Sequence, residues 1–126
     1  MKLFISSRVP DEIIGRLEGV DASYNDSNVP MTKEEIISGL QGKDALICPL
    51  SDKIDKEIMD AAKDLKLILN YGAGFDNIDI AYAREKGIVV CNAPAPSSAV
   101  STAELTFALI LAQARRLVLG DKDLRA

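Results

Sequence analysis

Between an apolar run ending at Asn70 and a helix-like segment opening at Asp79 lies Tyr71-Gly72-Ala73-Gly74-Phe75-Asp76-Asn77-Ile78, with two glycines around one small residue. Such a loop can turn successive backbone N–H groups outward and cradle an anion such as a carboxylate. The same glycines also suit a tight strand-to-helix turn that binds nothing. The residues alone leave both readings open. The loop is not a dinucleotide fingerprint, because Asn77 stands where G-x-G-x-x-G needs its third glycine. A second loop, Asn92-Ala93-Pro94-Ala95-Pro96-Ser97-Ser98, is stiffened by prolines and carries hydroxyls ahead of a helix start. That pattern fits an anion at a helix terminus, or capping hydroxyls on a rigid linker between domains.

What the chain lacks narrows the chemistry further. It has no histidine, no phosphate loop of the Walker type and no G-x-S-x-G elbow. Two cysteines without histidine do not supply a zinc set, so no metal site is expected. No pair of carboxylates stands beside a plausible nucleophile. Composition and spacing therefore place no catalytic residue in this chain.

The elements that must position these loops alternate between strand and helix. Lys2–Ser6 is β-rich, Pro10-Asp11 opens a helix predicted to run through Val20, and a short strand follows at Ala22–Tyr24. Thr32-Lys33-Glu34-Glu35 is a capping box. Asp44–Cys48 is the next strand, stopped by Pro49, and Asp55 caps a helix through Lys63. Leu65–Asn70 is a strand, Asp79 begins a helix ending at Gly87, and Ile88–Cys91 completes the series. The strands are continuously apolar, which predicts helices over both sheet faces. Repeated β-α units of this kind specify an α/β fold, a flavodoxin-like parallel sheet with helices on both faces.

The last segment departs from that rhythm. Ser101-Thr102-Ala103-Glu104 is a second capping box, and the long helix it opens is predicted to reach Leu119, where Gly120 stops it. Its apolar residues, among them Leu105, Phe107, Leu109, Ile110 and Leu111, point in nearly every direction. A helix apolar all round must be buried all round. The strands upstream can cover one side only, which calls for a missing domain or a second subunit.

The 126 residues suit one compact domain, and 48% hydrophobic with 27% charged residues is a balance that folds. Net charge is −4 with scattered basic residues, which argues against a nucleic-acid partner. No apolar run reaches the length of a membrane span, and the N-terminus lacks a signal-peptide pattern. Cys48 and Cys91 both lie in apolar strand-like runs and are expected as reduced, buried thiols. Together these features predict a cytoplasmic protein.

From Leu65 onward the pattern becomes specific. Leu67-Ile68-Leu69-Asn70-Tyr71-Gly72-Ala73-Gly74-Phe75-Asp76-Asn77-Ile78-Asp79, Ala83, Lys86-Gly87-Ile88-Val89-Val90, Asn92-x-Pro94, Thr102-Ala103-Glu104 and Ala114-Arg115-Arg116 occur in that order. The series resembles the D-isomer-specific 2-hydroxyacid dehydrogenases. Leu46-Ile47-Cys48-Pro49-Leu50-Ser51-Asp52-Lys53-Ile54-Asp55 is most similar to their glyoxylate and hydroxypyruvate reductase branch. The likeness covers essentially the whole chain.

The resemblance implies an oxidoreductase that transfers hydride between a nicotinamide, NAD or NADP, and a 2-keto or 2-hydroxy acid such as glyoxylate, hydroxypyruvate or glycerate. It implies two domains: residues 1–99 as the substrate-binding domain, and 100–126 as the crossover helix and start of a Rossmann domain that binds most of the cofactor. Carried over by position, the N–H groups of Ala73 and Gly74, with Gly72 beside them, hold the substrate carboxylate, and Leu50 forms an apolar wall. Ala73 and Thr102 lie near the cofactor cleft, and the helix Ser101–Leu119 packs near a homodimer interface. Ala95 stands where members often carry glycine, and Ser98 where many have asparagine.

The family's catalytic arginine, glutamate and histidine fall beyond Ala126, and none of the six arginines here matches the catalytic one. The chain is thus expected to be the truncated, inactive N-terminal part of a dehydrogenase. The alternative is a stand-alone module, descended from such an enzyme, that binds a small carboxylate or dimerises.

Overall fold

The computed structural model describes residues 1–125. They form two compact units, Met1–Pro94 and a second that begins at Ala95.

The first unit carries five strands: β1 (Lys2–Ile5), β2 (Asp21–Tyr24), β3 (Ala45–Pro49), β4 (Leu67–Tyr71) and β5 (Val89–Asn92). All neighbouring pairs are parallel and the spatial order is β2-β1-β3-β4-β5. That is the flavodoxin-like order, with its direction of winding reversing between β1 and β3. The helices between strands are short: α1 (Asp11–Ile14), α2 (Lys33–Gly39), α3 (Lys56–Ala61) and α4 (Ile80–Glu85).

Helix starts follow the side chains present. Thr32 accepts from the Glu35 N–H while Glu35 reaches back to the Thr32 N–H, the reciprocal arrangement expected of the box. Asp55 and Asp79 accept from the N–H groups three residues on, at Ile58 and Tyr82. Gly87 follows the end of α4 with φ +71°, a conformation that costs a side-chain-bearing residue far more.

The predicted helix Pro10–Val20 is cut to the four residues of α1, followed by turns. Gly15 and Gly19 account for this. Each weakens a helix by ~1 kcal/mol relative to alanine, and Gly19 takes φ +76°.

Strand alternation sorts the core into two layers. Phe4, Leu46, Cys48 and Ile68 meet Ile36, Leu40, Ile58, Met59 and Ala83 from α2, α3 and α4 on one face. Gly39 is required there, because a Cβ at that position would fall 2.2 Å from Phe4 Cζ. Leu3, Ile5 and Ala45 face the other side with Val9, Ile13, Ile14 and Leu17. Helical cover on this second face is partial, contrary to the expectation from the apolar strands. Over β4 and β5, Leu67 and Leu69 are half-buried while Val89 and Cys91 are exposed. Only Cys48 of the two free thiols is buried.

The second unit holds α5 (Pro96–Ala114) and α6 (Leu117–Arg125), and neither contains a buried residue. Two expectations are corrected. The helix begins at Pro96, not at Ser101, because proline is preorganised for the first helical turn and Ala95 takes the extended cap position. Ser101 to Glu104 therefore lie inside the helix and form no capping box. The far end breaks at Arg116, which adopts φ 51°, and Gly120 falls within α6, its N–H bonded to the Arg116 carbonyl. Among the described residues no helix is long and apolar enough to cross a membrane.

Candidate functional site

Parallel order places the carboxyl ends of all five strands at one edge of the sheet, where ligands of such folds bind. The loop leaving β4 contains Gly72, Ala73 and Gly74. Neither glycine has a positive φ, so the loop is not the alternating-handed nest that its glycines suggested. Gly72 is needed for space instead. A Cβ there would lie 2.7 Å from Leu50 Cγ and 2.8 Å from Leu50 Cδ1, and one at Gly74 would touch Leu50 Cδ2 at 3.4 Å. The structure therefore brings Leu50, Gly72 and Gly74 together, with Leu50 half-exposed beside the loop.

Three consecutive carbonyls of the loop are held. The Gly72 carbonyl accepts from the Ala93 N–H at 2.9 Å, that of Ala73 from Asn92 Nδ2 at 2.7 Å, and that of Gly74 from Asn70 Nδ2 at 2.7 Å. In a trans peptide the carbonyl and the following N–H point in opposite directions, and no peptide here is cis. The N–H groups of Ala73, Gly74 and Phe75 are therefore turned away from the donors holding their peptides. Among the described residues, none of these three N–H groups has a protein acceptor. The Gly72 N–H differs, donating to the Asn70 carbonyl at 2.9 Å.

Beneath the loop is a pair of amides, Asn70 buried and Asn77 half-buried. Asn70 donates to Asn77 Oδ1 at 2.9 Å, and Asn77 Nδ2 returns a bond to Asn70 Oδ1 at 3.3 Å. Asn77 Nδ2 also donates to the carbonyls of Asp52 at 2.9 Å and Pro49 at 3.3 Å, on either side of Leu50. The Cys48 thiol donates to Asn70 Oδ1. Burial first, then the nearby Asp52 charge, pushes this thiol up to about 12, so it stays protonated and keeps donating at neutral pH. Asn70, 2% exposed, thereby has every polar atom engaged.

A second feature at this edge was not legible in the sequence. Ser6, Ser7 and Arg8 after β1, Ser27 to Pro30 after β2, and Pro49 at the end of β3 with Ser51 and Asp52 beyond it line a cavity of about 220 Å3. Asp52 is buried and accepts from the hydroxyls of Ser6 at 2.6 Å and Ser51 at 3.4 Å. Burial holds its carboxyl above the ordinary carboxylate value, partly offset by those hydroxyls. Thr102 belongs to the second unit, where its hydroxyl donates to the Ser98 carbonyl at 2.8 Å. No group of metal-binding side chains occurs among the described residues.

Residues 3–117 match the family described as D-isomer specific 2-hydroxyacid dehydrogenase, catalytic domain. The chain belongs to that family. A Staphylococcus saprophyticus protein with the provisional name 2-hydroxyacid dehydrogenase is 46% identical over 124 residues, which is 97% of this chain and 39% of that protein. A solved Thermus thermophilus structure has a TM-score of 0.86 at 36% identity, covering 99% of this chain and 40% of that one. D-lactate dehydrogenase from Aquifex aeolicus, solved with NAD and lactic acid, has a TM-score of 0.65 at 30% identity, covering 89% of this chain and 33% of that one. An acyclic imino acid reductase in complex with NADPH and D-Arg has a TM-score of 0.84 at 26% identity, covering 99% and 41%. The chain thus spans about two fifths of the length of the Staphylococcus saprophyticus and Thermus thermophilus proteins it matches.

Proposed function

We propose that this chain is the substrate-binding part of an NAD(P)-dependent D-2-hydroxyacid dehydrogenase, and that the N–H groups of Ala73 and Gly74 hold the carboxylate of a 2-keto or 2-hydroxy acid. One observation carries this reading: three successive carbonyls are tied back, while the N–H groups opposite them have no acceptor among the described residues. Hydrogen bonds from fixed donors to a charged oxygen are the stronger kind. Leu50 supplies the apolar wall beside the two-carbon or three-carbon body of the acid, and Gly72 leaves room for it. Glyoxylate, hydroxypyruvate and glycerate are the proposed substrates, following the branch likeness at Leu46–Asp55.

The residues present do not fit a dinucleotide site. The loop lacks the third glycine, and the side chain in its place, Asn77, is committed to Asn70 and to the Leu50 loop. NAD or NADP is therefore assigned to the rest of the enzyme, with at most Ala73 and Thr102 near it, and no part of hydride transfer is assigned to this chain. The arginine that grips the keto acid, and the histidine with its carboxylate that moves the proton, are likewise assigned elsewhere. The apolar, unburied α5 supports a homodimer through the Ser101–Leu119 segment, and the setting proposed is cytoplasmic.

Calorimetric titration of the 126-residue chain with D-glycerate and with D-glyceramide tests the reading. The acid is expected to bind saturably and the amide not, with no oxidation of NADH when hydroxypyruvate is added. Equal binding of acid and amide, or binding of neither, would refute it.

A further inference from the structure

The side-chain amides of Asn70 and Asn92, braced by Asn77 and joined by the Ala93 N–H, form a clamp that we propose sets the direction of the substrate-binding N–H groups before any ligand arrives. The inference rests on the carboxylate reading of Ala73 and Gly74 and names the residues that make it work.

Glycine-rich backbone resists no particular orientation of its peptide planes, so Gly72–Gly74 needs an outside agent to fix them. Each of the two peptides that present N–H groups at Ala73 and Gly74 has its carbonyl held, one by the Ala93 N–H and the other by Asn92 Nδ2. Asn70 holds the next carbonyl, at Gly74, and so stops that peptide from flipping into the site. A carbonyl turned outward would meet the substrate carboxylate oxygen to oxygen, and the site would repel what it is meant to hold.

Only an amide meets the demands at position 70. Two N–H donors are needed, for Gly74 and for Asn77, and one oxygen must accept from Asn77 and from the Cys48 thiol. Aspartate has no donor at neutral pH, and serine has only one. Asn77 then transmits the same constraint to the neighbouring loop, because it donates to the carbonyls flanking Leu50 at positions 49 and 52. The apolar wall and the carboxylate donors are thus held in one hydrogen-bonded unit. These three asparagines are positioning residues and do not touch substrate.

Asn92 gives the cleaner test because it is exposed, so removing its side chain threatens the fold little. The uniformly 15N-labelled 126-residue chain is titrated with D-lactate and with D-lactamide, and the amide resonances of Ala73 and Gly74 are followed. In the unaltered chain these resonances are expected to move saturably with the acid alone. In Asn92→Ala the affinity for D-lactate is expected to fall about tenfold, while the melting temperature changes little; Asn92→Gln, which keeps the donor, recovers part of the loss.

Full D-lactate affinity in Asn92→Ala, with the same two resonances responding, would overturn the clamp and leave the carboxylate reading standing. A response absent from the unaltered chain would instead remove the carboxylate reading itself. Should Asn92→Ala lower the melting temperature substantially, comparison with Asn92→Gln at a temperature where both are folded decides the matter, and equal affinities there overturn the clamp.

Discussion

Gly72→Ala separates the role of Leu50 in the site from any role in the fold. The added Cβ would stand 2.7, 2.8 and 3.1 Å from three carbons of Leu50, so that side chain must withdraw by roughly 1 Å to reach an ordinary contact of ~3.5–4.0 Å. No backbone strain accompanies the change, because φ at Gly72 is not positive. Leu50 is already 50% exposed. Full burial of a leucine is worth ~1.5–3 kcal/mol, so uncovering part of what remains costs no more than about 1 kcal/mol. Against this, replacing glycine by alanine at a compatible position stabilises by ~0.4–1 kcal/mol through the unfolded chain.

The two effects nearly cancel, and the melting temperature should shift by no more than about 3 °C. Binding should not be spared, since the wall beside the Ala73 and Gly74 donors is displaced. An affinity loss for D-glycerate of at least about fivefold, or ~1 kcal/mol, is expected by calorimetry. Unaltered affinity with an unaltered melting temperature would show that Leu50 does not shape the site. A large drop in melting temperature would show that Gly72 serves packing of the unit and would refute the reasoning from half-exposure.

Two further outcomes follow from the structure. Asp52→Asn should become more stable relative to the unaltered chain as pH rises. The folded carboxyl titrates above its ordinary value of 3.8, so the stability it supports is full below that value and is lost as pH rises through the raised one. The difference in melting temperature between the two, measured from about pH 3 to 7, should increase with pH, and a flat or falling difference would contradict the assignment of burial as the dominant cause. Light scattering of the chain should give a dimer mass, and Phe107→Glu in the apolar α5 should give a monomer; a monomer without the substitution would remove α5 as a dimer surface.

The order of elements was legible because it depends on patterns within a few residues. Apolar strand runs, the Thr32 capping box, the Asp55 and Asp79 caps and the Gly87 terminator each act locally, and the sheet order follows from repeated right-handed β-α units. Errors arose where local signals competed. A capping-box pattern at Ser101–Glu104 lost to the helix-starting geometry of Pro96, and the break at Arg116 has no glycine or proline to mark it. The incomplete cover of β4 and β5 was invisible because continuous apolar strands report what a sheet face needs and not what the chain provides.

The candidate site was legible in a narrower sense. Gly72-Ala73-Gly74 could be picked out by its glycines and its position after a strand, but the way the loop is held could not. The sequence suggested conformational freedom of glycine, whereas in the structure the Ala93 N–H and the side-chain amides at positions 92 and 70 hold the three carbonyls, and glycine at 72 admits Leu50. One signal was available. Asn70 ends the run Leu67-Ile68-Leu69, and a polar residue closing a buried strand is costly unless its hydrogen bonds are met. Its partners Gly74 and Asn77 follow in the next loop, but Cys48 and the second clamp residue, Asn92, lie on the neighbouring strands and are brought beside it by the registers Cys48↔Asn70 and Asn70↔Asn92. Those registers are a product of the whole sheet, so the clamp becomes apparent only once the sheet is assembled.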